Sequence, residues 1–118
     1  MGKAKAVIVV STFSTEESAA EVGKKLVEKG LCACVNFARI RSIYSWNGKV
    51  EDQPEYLAFF KVAKSSAEDL KEELARMHPY DVPEIVELKM SDVSKPYLSW
   101  LNGSTHRVSK KRNHPAKR

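Results

Sequence analysis

The stretch MHPYDVPEIVEL, Met77 to Leu88, places His78, Asp81 and Glu84 within seven residues. Imidazole nitrogen together with carboxylate oxygen suits copper or zinc. One histidine cannot fill a tetrahedral site, so a metal centre here needs ligands from another chain. The plainer reading makes His78 a helix C-terminal residue whose ring meets the helix dipole. On that reading Pro79 ends a helix and Pro83 starts a strand. Cys32 and Cys34, in LCACVNF, are one residue apart, which places both on one face of a strand and suits no disulfide between them. They read as small buried side chains. Lys61 falls late in an apolar run, where a lysine must snorkel or find an acid. Glu55 and Glu84 are candidate acids, and a lysine reaching solvent from the strand end is the alternative.

Other chemistry is poorly supplied. A serine or cysteine nucleophile needs a histidine base, and the part read as folded holds only His78; His106 and His114 fall near the C-terminus. No G-x-S-x-G, HExxH, P-loop or G-x-G-x-x-G occurs, and no C-x-x-C. The sequence therefore predicts a protein that is not an enzyme and carries no organic cofactor. A divalent metal, copper or zinc, is the one cofactor it suggests.

The net charge of +5 is unevenly spread. Six basic residues and no acid fall in 104–118, so residues 1–103 are close to neutral. The segment 104–118 reads as a basic, disordered tail with at most weak contacts to nucleic acid. Residues 1–103 read as one domain. Ala6–Val10 is too short for the apolar core of a signal peptide, and no apolar run is long enough to cross a bilayer. A cytoplasmic protein is expected.

The elements that must position these residues follow from periodicity. AVIVVST, 6–12, is a buried strand. Ser14 and Glu17 form a capping box for a helix over about 15–29, with Ala19, Val22, Leu26 and Val27 as its stripe and Gly30 as its C-cap. Ala33–Trp46 is a strand, Asn47-Gly48 a hairpin turn, and Tyr56–Val62 the returning strand, with VEDQP before it frayed or bulged. A second helix opens at Ser65 or Ser66, carries Leu70, Leu74 and Met77, and stops at Pro79. Ile85–Met90 is the last strand, and Ser94-Lys-Pro96 starts a short helix closed by Gly103. The order β-α-β-β-α-β is an α+β, ferredoxin-like split βαβ with both helices on one face of an antiparallel sheet. Its other face would be bare, yet the strands carry Phe37, Ile43, Phe59 and neighbours on alternating sides, which predicts self-association. The RNA-recognition module shares this topology, but EYLAFFKVA lacks the glycines of that module's third-strand signature.

Several linked motifs then resemble the divalent-cation-tolerance (CutA) family over about 6–103. They are Gly30-Leu-Cys-Ala-Cys-Val-Asn36, Ser42-Ile-Tyr44-Ser-Trp46-Asn-Gly48-Lys49, Glu55, Lys61, His78-Pro-Tyr80 with Pro83-Glu84, and Tyr97-Leu-Ser-Trp100-Leu. The resemblance implies a homotrimer like the PII signalling proteins, linked to tolerance and binding of divalent metals such as copper. It implies an intersubunit cleft lined by Tyr44, Trp46, Glu55, Lys61, His78, Tyr80 and Glu84, with Cys34 as the thiolate candidate. The metal set it points to is His78, Glu84 and Cys34. An alternative is a trimeric sensor holding a small anion in that cleft, with Lys61 supplying charge, or a mainly structural trimer. Val62 stands where the family usually has threonine. Ser11 stands where some relatives have a cysteine that binds copper.

Overall fold

A computed structural model describes residues 5–105. Four strands and three helices run β1 (Ala6–Phe13), α1 (Glu16–Glu28), β2 (Cys34–Trp46), β3 (Lys49–Ala63), α2 (Ala67–Met77), β4 (Val86–Lys89) and α3 (Lys95–Gly103), with a 3-10 turn at Lys64–Ser66 before α2. The sheet order is β2-β3-β1-β4, with every pair antiparallel, which is the ferredoxin-like arrangement.

One face of the sheet packs on α1 and α2. Val7, Val9 and Phe13 of β1 and Ala58, Phe60 and Val62 of β3 meet Ala19, Val22 and Leu26 of α1 and Leu70 and Leu74 of α2 in one buried core. Their alternation along each strand is the period-2 signature of a half-buried sheet. Gly23 allows α1 to approach closely, because a Cβ there would lie 2.9 Å from Val35 Cγ1 and 3.1 Å from Phe37 Cζ.

The register leaves much of the opposite face apolar and open, with α3 packing Leu101 against Ala6 and Ala63 at one end of it. Val10 lies opposite Phe59 and Val86, and Ile8 opposite Lys61 and Leu88. Phe59, Val86 and Leu88 are exposed. Phe37 belongs instead to the helix side, over Gly23. Ile43 sits where β2 and β3 have left the sheet. Of Phe37, Ile43 and Phe59, Phe59 lies on the open face.

β3 is one continuous strand from Lys49, without the fraying expected at VEDQP. β1 stops pairing at Tyr56, so residues 49–55 pair only with 40–46 and form a two-stranded arm. Pro54 is tolerated because its missing N–H falls where β3 has one neighbour and breaks no ladder on the other side. At the tip, Asn47 (φ 53°) and Gly48 (φ 77°) give the twisted two-residue turn that Asn-Gly favours.

Smaller differences concern termini. The cap of α1 is Thr15, whose Oγ1 accepts from Ser18 N at 3.1 Å, one residue later than the expected Ser14. Val27 lies off the buried stripe and is exposed. Gly30 takes positive φ as expected of a C-cap. After α3, Ser104 N bonds Trp100 O and Thr105 Oγ1 donates to Leu101 O. Residues 106–118, where the rest of the basic tail was placed, lie outside the described residues.

Candidate functional site

At the base of the arm, a cleft of about 710 Å³ opens between β2, β3 and the loop that follows α2. Tyr44 and Trp46 reach it from alternate positions of β2, Glu55 from β3, and Tyr80, Asp81 and Glu84 from the loop. The wall thus carries three aromatic rings and three carboxylates, and among the described residues no lysine, arginine or histidine lines it. None of the three acids forms an ion pair within the described residues, unlike Asp52, Glu73 and Glu87, which are all paired with bases.

His78 lies beneath this cleft and locks its loop. The α2 ladder ends when His78 N bonds Leu74 O, and the extended backbone at His78 then turns the chain toward β1. Nε2 lies 2.9 Å from Thr12 O, and Tyr80 N lies 3.1 Å from Nδ1. A carbonyl only accepts and a backbone N–H only donates, so Nε2 carries the proton and Nδ1 is bare. The ring is neutral, 7% exposed, and stacked on Phe13 with centroids 4.3 Å apart. Burial pulls its pKa below the ordinary 6.5, although the Thr12 carbonyl and the Glu55 charge pull back. Both ring nitrogens able to ligate a metal are already used. The reading of His78 through the helix dipole also gives way to this neutral clamp.

Tyr80 continues the lock. Its hydroxyl donates to Glu55 Oε2 at 2.8 Å. Burial, then that bond to a carboxylate, raises the phenol above its usual range. Glu55 is itself only 8% exposed.

Cys34 and Lys61 face each other across β2 and β3, away from this cleft. Six residues of β3 separate Lys61 from Glu55, roughly 20 Å along a strand. Lys61 and Cys34 therefore do not join the cleft within one chain, whereas Tyr44, Trp46, Glu55, Tyr80 and Glu84 do. Cys32 is not on the strand face of Cys34. It precedes β2, is buried in the helix-side core, and donates its thiol to Cys34 O at 3.1 Å. Burial pushes that thiol up to about 12, which makes it unreactive. Among the described residues, no three His, Cys, Asp or Glu side chains converge to hold a metal ion. His78, Glu84 and Cys34 thus do not form a metal centre in a single chain. Sequence reasoning passed over Asp81 as a cleft residue, although its place between Tyr80 and Glu84 on the same loop was a usable signal.

The profile of the CutA1 divalent ion tolerance protein family matches residues 7–104. The chain belongs to that family. The divalent-cation tolerance protein CutA of Thermotoga maritima is 44% identical over 98 residues, covering 83% of this chain and 97% of that one. The crystal structure of CutA1 from Pyrococcus horikoshii superposes with a TM-score of 0.83 at 40% identity, covering 86% of this chain and 99% of that one. A structure from Archaeoglobus fulgidus, described as a periplasmic divalent cation tolerance protein CutA, gives a TM-score of 0.81 at 29% identity, covering 84% and 97%. The CutA1 match includes β1, the arm, the His-Pro-Tyr loop and α3, and therefore every wall of the cleft.

Proposed function

We propose that this CutA1-family chain is a non-enzymatic homotrimer that binds a divalent, copper-like cation where its acidic cleft meets a neighbouring subunit. The observation that carries this reading is the cleft's charge: Glu55, Asp81 and Glu84 line it without a basic side chain among the described residues. A lining of that sign attracts cations and repels the small anion of the sensor alternative, and Lys61, the charge that alternative relies on, lies elsewhere. Because one chain gathers too few ligands, the remaining donors have to come from a second copy. Assembly is supported by the apolar face of Val10, Phe59, Val86 and Leu88, and by the arm, since an isolated two-stranded hairpin is marginally stable in water. Within the chain, Glu84 and Asp81 are the available ligands and His78 positions them.

No helix among the described residues is long and apolar enough to cross a membrane. The cytoplasmic reading is supported by the free thiols of Cys32 and Cys34, and cell fractionation tests it.

The deciding experiment titrates Cu(II) and then Zn(II) into metal-stripped protein, with a variant lacking 106–118 as control because His106 and His114 bind metals opportunistically. Micromolar or tighter binding that survives the deletion and weakens in Glu84→Gln is the expected result. Binding absent, or lost with the tail, removes the metal reading. A sedimentation mass of one chain at micromolar concentration removes the trimer.

A further inference from the structure

Glu55 presents an electrostatic imbalance that the family relationship does not address. It is 8% exposed, lines the cleft, and has a phenol as its hydrogen-bond partner, with no ion pair to any described base. Buried carboxylates are ordinarily paired with a cation, because an uncompensated charge inside a protein is costly. Within one chain no described base supplies that charge, and a cation entering the cleft would supply it.

We propose that the cleft binds an organic ammonium ion, with Glu55 as its counter-charge and Tyr44, Trp46 and Tyr80 as its aromatic walls. Three features suit this class of ligand without donors from a second copy. A divalent ion asks for several donors converging at about 2.0–2.6 Å, and the acids here are spread around the wall without such convergence. Three rings line the cleft, and aromatic faces attract alkylated nitrogen through their quadrupoles while contributing nothing to ordinary metal ligation. The volume, about 710 Å³, lies within the roughly 300–1,000 Å³ range of small-molecule sites. Tyr80 is doubly held, by His78 through its backbone and by Glu55 through its hydroxyl. One wall is thereby fixed before any ligand arrives, which limits the ordering cost of binding. The inference goes beyond the divalent-cation reading but uses the same cleft, so the two need separate tests.

Calorimetric titration of the full chain with tetramethylammonium chloride is the test, run against sodium chloride at matched ionic strength and against tert-butyl alcohol as a neutral probe of similar shape. Saturable binding of the ammonium alone is expected. Glu55→Gln, which keeps the acceptor for Tyr80 and removes the charge, should weaken it about tenfold, as should Trp46→Leu. Far-UV circular dichroism confirms that each variant is folded. Equal heats from sodium chloride or from the alcohol overturn the proposal, as does unchanged affinity in folded Glu55→Gln. The same Trp46→Leu protein is then titrated with Cu(II). Copper binding retained while ammonium binding falls is expected, since a ring carries the one and not the other. Copper binding without any ammonium binding in the unaltered chain defeats this inference alone, and ammonium binding without copper supports it and defeats the metal reading.

Discussion

Replacing His78 by phenylalanine isolates what the imidazole nitrogens do. The aromatic ring and its stacking on Phe13, with centroids 4.3 Å apart, are kept, while the bonds to Thr12 O and from Tyr80 N are both lost. Each leaves a backbone group in a part-buried setting without its partner, at about 1–3 kcal/mol apiece. A total loss of about 3 kcal/mol is therefore expected, allowing for some rescue of Tyr80 N by water. Urea unfolding at pH 7.5 and fixed protein concentration measures it, the concentration being held because the proposed assembly would contribute to apparent stability. His78→Gln, which retains a donor and an acceptor, should recover part of the loss. The pH profile supplies a second, independent sign. Folding lowers the His78 pKa, chiefly by burial, so the unfolded chain binds the extra proton first as pH falls. Its contribution is present above 6.5 and is lost as pH drops toward the lower folded value, at up to about 1.4 kcal/mol per pH unit. The difference between the original protein and His78→Phe should shrink over that window, with the histidines outside the described residues cancelling. A variant as stable as the original, or a difference that grows on acidification, would refute the neutral clamp.

Three further outcomes follow from packing. Ser11 Oγ is fully buried without a hydrogen-bond partner, so Ser11→Ala should be neutral or stabilising by up to about 1 kcal/mol in a thermal melt; a loss larger than that means the hydroxyl has a partner. Gly23→Ala gains up to about 1 kcal/mol of helix propensity, but its Cβ meets the stiff Val35 side chain at 2.9 Å. A net loss of about 1 kcal/mol is expected, and Val35→Ala in the same chain should reduce it, which a double-mutant cycle of urea midpoints reads. Phe59→Asp puts a charge on the open sheet face and should lower the sedimentation mass while leaving the helix-side core intact; an unchanged mass shows that this face is not the contact.

The elements that sequence disclosed well were those governed by neighbours in the chain. Asn47-Gly48 specified its turn because positive φ is a local property, and the stripes of α1 and α2 specified a helix face because side chains three and four apart share it. Pro54 misled for the complementary reason. A proline looks like a strand breaker until it is known that β1 ends at its Phe13–Tyr56 pair, a fact about a strand some forty residues away. His78 depends on a distant residue as well. Its spacing from Asp81 and Glu84 is that of a metal ligand, yet its tautomer is decided by the Thr12 carbonyl, sixty-six residues earlier. Tyr44 with Trp46, and Tyr80 with Glu84, fall in two short motifs that meet at the cleft, whereas Glu55 lies in neither. What spacing could not reveal is that the histidine of the second motif faces inward. It holds Tyr80 in place, and Tyr80 in turn donates to Glu55, so the part of the loop open to a ligand is phenol and carboxylate, with the imidazole beneath them. A cation entering the cleft therefore meets oxygen and aromatic faces first, and reaches imidazole nitrogen only if the Thr12 and Tyr80 bonds break.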